Sequence, residues 1–490
     1  MTAYKPGDEV DFVVIGAGAA GGIMARELAR NGFRVVVLEQ GPHLKEPDFI
    51  HDEIKFFHQR FLLNDPARQP NTFRKSEAEK AVEQPVVMYG RQVGGGTVHY
   101  TGNHWRLHES DFEELTRHGA VAGASVADWP FKYAELEPYY TKLEREIGVS
   151  GAPGPFDPPR SAPYPLPPLP IKSSGVLFER GAKKLGWHPF PTPLAILSQP
   201  YRGRGACTHC GFCKGFGCEV RAKSSTLAAM IPDALKTGRC EIRTGAVVRK
   251  IQSNGRRVTG AIYFDGRKRE IFQRAKAVVL CANGAETPRL LLMSATNTYP
   301  QGLANTHGHV GKHLMFDNGT ETRGLFDGRL NEYKSVAPSR LIHDFYETDA
   351  KRGFWGGGGI DGRCPDYPIG FALWGLPDDV PKWGSGFKHF MADAFSRTMT
   401  ALTHVTCLPC EANSISLDPA LKDAWGLPAM RVTFRNHPDD LRAMQFLADR
   451  AREILEAAGA RKIWSQPVTE VTESVHLMGT CRMGRDERRS

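Results

Sequence analysis

The sequence predicts an α/β protein, α+β overall, built around a parallel sheet, and three observations carry that expectation. A β-branched run, a glycine-rich turn and a helical pattern follow one another between residues 10 and 39. Further strand candidates return at 241–252, 258–263 and 277–280. Composition is ordinary for a globular chain, with 41% hydrophobic and 24% charged residues, which leaves out disordered, collagen-like and small disulfide-scaffold classes. At roughly 100–200 residues per domain, 490 residues allow two to four domains.

The first unit is the most legible. Residues 10–15 read as a buried parallel strand, and Gly16-Ala17-Gly18-Ala19-Ala20-Gly21 follows it. A helix patterned on Ile23, Met24 and Leu28 comes next and ends at Asn31-Gly32, a C-cap signal. A second strand, 34–38, stops at Glu39. G-x-G-x-x-G between strand and helix, with an acidic residue ending the next strand, predicts a dinucleotide site. Gly16 makes the tight turn, Gly18 admits a pyrophosphate, and Gly21 lets the helix pack close. Glu39 would accept hydrogen bonds from the adenosine ribose hydroxyls, and its charge disfavours a 2′-phosphate. This unit leaves NAD and FAD both open.

Beyond it, Val93-Gly94-Gly95-Gly96-Thr97 forms a second glycine-rich loop, and the proline-dense stretch 151–170 reads as a surface connection or arm. Segment 223–235 looks helical, 413–418 reads as a strand and 438–458 as a helix. Trp355, Trp374 and Trp383 lie in a glycine-rich region without clean periodicity, where burial accounts for them better than stacking on a ligand. Cys407-Leu408-Pro409-Cys410 falls in strand-like sequence and reads as two ordinary thiols.

Four of the ten cysteines occupy twelve positions, as Cys207-x2-Cys210-x2-Cys213-x4-Cys218. Thiolates are soft ligands, and this spacing lets the sulfurs converge on one centre. The bacterial ferredoxin run has a shorter last gap and a proline where Glu219 stands here. An iron–sulfur cluster, zinc, disulfides and free thiols therefore all remain open, with Lys214 and nearby N–H groups expected to favour a negatively charged centre.

Charge and hydropathy exclude other classes. Lys plus Arg number 63 against 54 Asp plus Glu, a net charge of +9 with no basic run. Basic and aromatic residues do not interleave around the cysteines, which argues against a zinc-knuckle nucleic-acid binder. No apolar run approaches the ~20 residues of a membrane span, and no signal region separates Met1 from the first strand.

Several segments together resemble the glucose–methanol–choline (GMC) oxidoreductases. Residues 90–97 are similar to that family's second flavin-binding loop, and so are Asp128-Trp129-Pro130-Phe131, 277–292 with Asn283-Gly284-Ala285, 413–418, and 476–484 to other family segments. The resemblance implies FAD, a Rossmann-like FAD domain from discontinuous segments, and a substrate-binding domain with an antiparallel sheet over the flavin. Segments 1–105, 201–316 and 465–490 would then build the FAD domain, and 106–200 and 317–464 the cap. Gly94, Gly95, Thr97 and Gly284 would line the flavin site, and Val248 falls where the family places a backbone contact to adenine. His99 matches a histidine bonded covalently to the flavin in pyranose oxidases; a histidine packed beside the ring is the other reading.

The resemblance also implies a reaction. Oxidising an alcohol requires a base for the hydroxyl proton, and a neutral imidazole suits that role. His476 stands at the family's position for it, and a second His or Asn is expected beyond Ser490, where another strand and helix would follow. Some GMC sugar dehydrogenases hold a [3Fe-4S] cluster in the region of Cys207–Cys218; four ligands would suit [4Fe-4S]. The expected activity is oxidation of a sugar or polyol CH–OH, with electrons leaving through the cluster to a cytochrome or quinone. An oxidase using O2 with a structural cysteine loop is an alternative, and so is a non-catalytic flavin-binding subunit. A small export-signal-bearing subunit is an expected partner, which allows a periplasmic as well as a cytoplasmic location.

Overall fold

The computed structural model describes residues 4–364 and 366–490, so Met1 lies outside the described residues. Its first sheet has six strands: β1 (Val10–Ile15), β2 (Val35–Glu39), β3 (Cys240–Thr244), β4 (Val247–Ser253), β5 (Val258–Phe264) and β6 (Glu270–Leu280). Their order is β3-β2-β1-β6-β5-β4. The first four are mutually parallel and the last two are added antiparallel. Val13 and Val14 point to opposite faces and both are fully buried, as expected of a parallel strand covered on both sides.

Helix α1 (Ala19–Arg30) connects β1 to β2 and stops at Asn31, with Gly32 at φ +88°. Its buried residues are Gly21, Gly22, Ala25, Arg26 and Ala29, while Ile23 and Leu28 of the sequence pattern are half-buried against neighbouring clusters. The approach is closest at Gly22, where a Cβ would lie 2.7 Å from Thr226 Cβ. The expected strand at 241–252 is two strands broken at Gly245, whose φ is +67°. The expected helix at 223–235 is likewise split into Thr226–Ala229 and Ile231–Lys236. Pro232 causes the split, because it is tolerated only in a helix's first turn.

A second sheet forms the cap. It comprises β7 (Glu321–Leu325), β8 (Pro338–Ile342), β9 (Gly358–Arg363), β10 (Thr398–Val405) and β11 (Lys462–Ser465), in order β11-β7-β10-β9-β8 with Phe190–Pro191 at the edge. Every pairing in it is antiparallel. Helices α2 (Ser173–Lys184) and α3 (Pro438–Ala458) pack on it, burying Phe178, Ile342, Ile360, Met399, Leu447 and Ile454 in one cluster. Fully burying each such side chain contributes about 1.5–3 kcal/mol.

The proline-dense stretch forms no helix or strand, as expected, and runs along the surface with Tyr164, Leu166 and Leu169 turned inward. Two expectations are corrected. Cys407 and Cys410 lie in the loop just after β10, since that strand ends at Val405. Trp374 and Trp383 are exposed, 57% and 83%, because they sit at the ends of two short outer helices. Among the described residues, no helix is long and apolar enough to cross a membrane.

Candidate active site

Strands β1, β2 and β6 end at one edge of the first sheet, where Ile15 lies opposite both Leu38 and Leu280. The loops leaving that edge converge, and ligands of open α/β sheets bind there. Gly16 has φ +92°, and a Cβ on it would lie 2.5 Å from the Cys281 carbonyl oxygen. One on Gly21 would lie 1.8 Å from the Gly16 oxygen, so helix and strand meet without a side chain between them. At the end of β2 the Glu39 carboxylate is 5% exposed and accepts N–H bonds from Ala17 at 2.9 Å and Gly41 at 2.8 Å. Burial pushes its carboxyl above the usual range, against these two donors and the Arg91 charge. The Ala246 N–H donates to the Glu39 carbonyl at 2.9 Å, which brings Val248 and the start of β4 alongside.

The second glycine loop closes on the first. The Gly94 N–H donates to the Ala17 carbonyl at 2.8 Å. Gly95 has φ +52°, and a Cβ on it would lie 2.8 Å from Gly18 Cα. Thr97 Oγ1 accepts the Thr226 N–H at 3.0 Å, and the Thr226 hydroxyl donates to the Gly18 carbonyl at 3.2 Å. Thr226, unnoticed in the sequence, thus clamps both loops. Next to them, the His99 Nε2 is buried without a partner. Burial, and then the Lys223 charge, push the His99 imidazole down to about 4, so the ring is neutral at physiological pH.

The segment 474–480 reaches the same edge from the far end of the chain. A Cβ on Gly284 would lie 2.1 Å from the Leu477 oxygen, and the Thr480 hydroxyl donates to the Gly284 carbonyl at 2.5 Å. Leu477–Met478 pairs antiparallel with Met315–Phe316, which carries His476 to Asp317. Their Nδ1–Oδ2 distance is 2.8 Å, and the His476 side chain remains 58% exposed. The Asp317 hydrogen bond raises the His476 pKa above the ordinary 6.5, although partial burial opposes it. Burial works against ionising Asp317, but His476, His404 and Arg363 outweigh it and hold the carboxyl below its usual range. Close by, His404 Nε2 lies 2.8 Å from Asp361, whose other oxygen accepts from Arg363 Nε at 2.6 Å. Neither Asp317 nor this second group is signalled by local sequence.

The four clustered cysteines share one loop and all are free. Among the described residues no three of their sulfurs lie within 4.8 Å of one another, and Cys210 converges instead with His51 and Glu219. Burial pushes the Cys213 thiol up to about 12, with Lys223 acting against it. Phe49, Phe56, Phe212 and Phe216 build an apolar shell beside the loop. Lys214 does not face the centre as expected; its ammonium pairs with Asp366 at 2.6 Å. The buried cation is Lys223, whose ammonium donates to the carbonyls of Tyr100 (2.9 Å), Cys213 (2.9 Å) and Phe216 (2.7 Å). The Gly215 N–H also donates to the His99 carbonyl at 2.9 Å, so the cysteine loop is bonded directly to the second glycine loop.

Residues 10–317 match the family model "GMC oxidoreductase", and 409–490 match its C-terminal counterpart. The chain belongs to the GMC oxidoreductase family. The 2-methyl-1,2-propanediol dehydrogenase of Mycolicibacterium austroafricanum is 34% identical, over 97% of this chain and 86% of its own. The gluconate 2-dehydrogenase flavoprotein of Pantoea cypripedii is 29% identical, over 98% and 86%. The pyridoxine 4-oxidase of Mesorbium loti shares the fold, with a TM-score of 0.63 over 97% of this chain and 89% of that one, at 17% identity.

This GMC oxidoreductase is an FAD-dependent enzyme acting on CH–OH donors, and its residues fit FAD. The paired loops present backbone only, nothing lies within 4 Å of where a Cβ would stand on Gly96, and Glu39 keeps lone pairs for a ribose. Gly95→Ala tests the cradle. Left-handed backbone costs ~1–2 kcal/mol for an alanine, and the clash with Gly18 adds to it. Bound FAD per chain is expected to weaken by about 5- to 30-fold in affinity, measured by equilibrium dialysis.

Proposed function

We propose that this GMC oxidoreductase oxidises a sugar or polyol CH–OH and passes the electrons through an iron–sulfur cluster to an external acceptor such as a cytochrome. Cys207, Cys210, Cys213 and Cys218 would hold the cluster, with one thiol spare if it is [3Fe-4S] and all four used if it is [4Fe-4S]. The observation that carries this reading is the 2.9 Å bond from the Gly215 N–H to the His99 carbonyl, which joins the cysteine loop to the flavin loop. The diol and gluconate relatives support the substrate class, since each named substrate is an alcohol with a neighbouring oxygen function. A small export subunit and a cytochrome are the partners consistent with that reading.

FAD, when bound, supplies the two-electron acceptor for the carbon's hydride. Everything else falls to this chain's residues. His476 holds its Nδ1–H against Asp317, which fixes the tautomer and leaves the Nε2 lone pair to take the hydroxyl proton. Asp317 then stabilises the imidazolium formed. His404, a quarter exposed and held by the buried Asp361–Arg363 pair, offers a further polar contact for a hydroxyl-rich ligand.

The raised pKa fixes the sign of the pH dependence. Protonated His476 cannot act as a base, so kcat/KM should fall as pH drops through a value above 6.5. Asp317→Asn removes the imidazolium's partner, so that limb should move to lower pH while the maximal rate drops by roughly tenfold. A limb that stays in place in the variant would assign it to another group. The cluster itself is tested by iron and acid-labile sulfide analysis of the flavin-loaded protein. Iron and sulfide in cluster ratio are expected, and zinc alone, or no metal, would overturn the proposal.

A further inference from the structure

We propose a second metal centre, independent of the cysteine loop, in which His108, His343 and Asp157 bind one zinc-like divalent ion that pins the proline-dense arm to the cap sheet. One possible ligand atom from each of the three lies within 4.8 Å of the others. His343 Nδ1 is 3.9 Å from Asp157 Oδ1. The three side chains are 5%, 2% and 10% exposed for His108, His343 and Asp157 respectively.

Unpaired nitrogen atoms point to a ligand. His108 Nε2 and both ring nitrogens of His343 are buried without a hydrogen-bond partner. A buried polar atom left unsatisfied costs about 1–3 kcal/mol, and one ion can satisfy His108 Nε2 together with one ring nitrogen of His343, whose other nitrogen then carries the proton. His108 is already set up as a ligand: its Nδ1 lies 2.9 Å from Glu347 Oε1, which holds the proton there and leaves the Nε2 lone pair free. A carboxylate behind a ligating histidine is the usual outer support of such sites. Asp157 is oriented in turn by the Gly154 N–H, 3.0 Å from its other oxygen.

The donor set selects the ion. Two imidazoles and one carboxylate suit zinc and its transition-metal neighbours, whereas calcium and magnesium prefer all-oxygen sites. Trp105, Phe190 and Tyr346 wall the His343 ring, which keeps bulk water away. The three ligands come from separate segments: the stretch after the second glycine loop, the 151–170 arm, and the residue immediately after β8. An ion there would fasten a segment that has no strand or helix of its own.

The test uses the flavin-loaded chain, stripped with a chelator and dialysed against zinc, with metal and protein measured together. His343→Gln and Asp157→Asn should each bind one equivalent fewer than the parent, and Glu347→Gln should hold that equivalent roughly 10- to 100-fold more weakly. His51→Ala is the control, because His51, Cys210 and Glu219 also converge within 4.8 Å. It should keep the equivalent that the His343 and Asp157 variants lose. Zinc should raise the melting temperature of the parent more than that of Asp157→Asn, which preserves side-chain shape if the His343 variant fails to fold. Unchanged zinc stoichiometry in Asp157→Asn, or no uptake by the parent beyond what the cysteine loop takes, would overturn the proposal and assign water to the pocket.

Discussion

His476→Asn is expected to lower kcat by roughly 10²- to 10⁴-fold, the contribution of a positioned general base, while FAD content and melting temperature stay close to the parent's. The reasoning is geometric. Among the described residues the His476 side chain is anchored through Asp317 alone, and with 58% of it exposed it contributes little to the core. Replacing it therefore removes a proton acceptor and little else. Asp317→Asn should fall between this variant and the parent, because it misplaces and weakens the base without deleting it. Stopped-flow reduction of the flavin by a polyol separates chemistry from product release. If His476→Asn reduces its flavin at the parent rate, another group accepts the proton.

The second large effect concerns where the electrons go. Cys213→Ser should reduce cytochrome-linked turnover by at least about a hundredfold and lower the iron content, yet leave reduction of the flavin by substrate intact. Cys213 is the informative choice because its thiol is buried and Lys223 ties its backbone to Tyr100, next to the flavin loop. A hydroxyl is a far poorer ligand for iron than a thiolate. Reduction of flavin and acceptor would thus be uncoupled in one variant. Peroxide released at the parent's full turnover rate would instead favour an oxidase, with the cysteine loop structural. Unchanged acceptor reduction in Cys213→Ser would contradict the proposed route.

Local chemistry was legible in the sequence, and long-range pairing was not. Gly16, Gly18, Gly21 and Glu39 lie where their spacing puts them, in a tight turn between strand and helix and at the end of the next strand. Helix Pro438–Ala458 likewise has the bounds its pattern predicts. By contrast, the partner of His476 lies 159 residues away in sequence and is brought there by a two-residue pairing between 315–316 and 477–478. Thr226 and Lys223 were hidden for the same reason: each acts through hydrogen bonds to backbone carbonyls, which leave no residue pattern. The Lys214 expectation failed because nearness in sequence to the cysteines says nothing about direction, and Asp366 draws the ammonium elsewhere. Small residues on the buried face of α1 were missed because hydrophobic periodicity is blind to glycine packing.

The central claim is that a flavin held by the paired glycine loops takes electrons from a hydroxyl-bearing carbon positioned at His476. Anaerobic titration of the FAD-loaded protein with a 1,2-diol and with gluconate tests it most directly. Loss of the oxidised-flavin absorbance by at least one of them, fast in the parent and slowed in His476→Asn, is the predicted result. A chain that binds no FAD, or whose flavin stays oxidised with every polyol, sugar and sugar acid supplied, would contradict it.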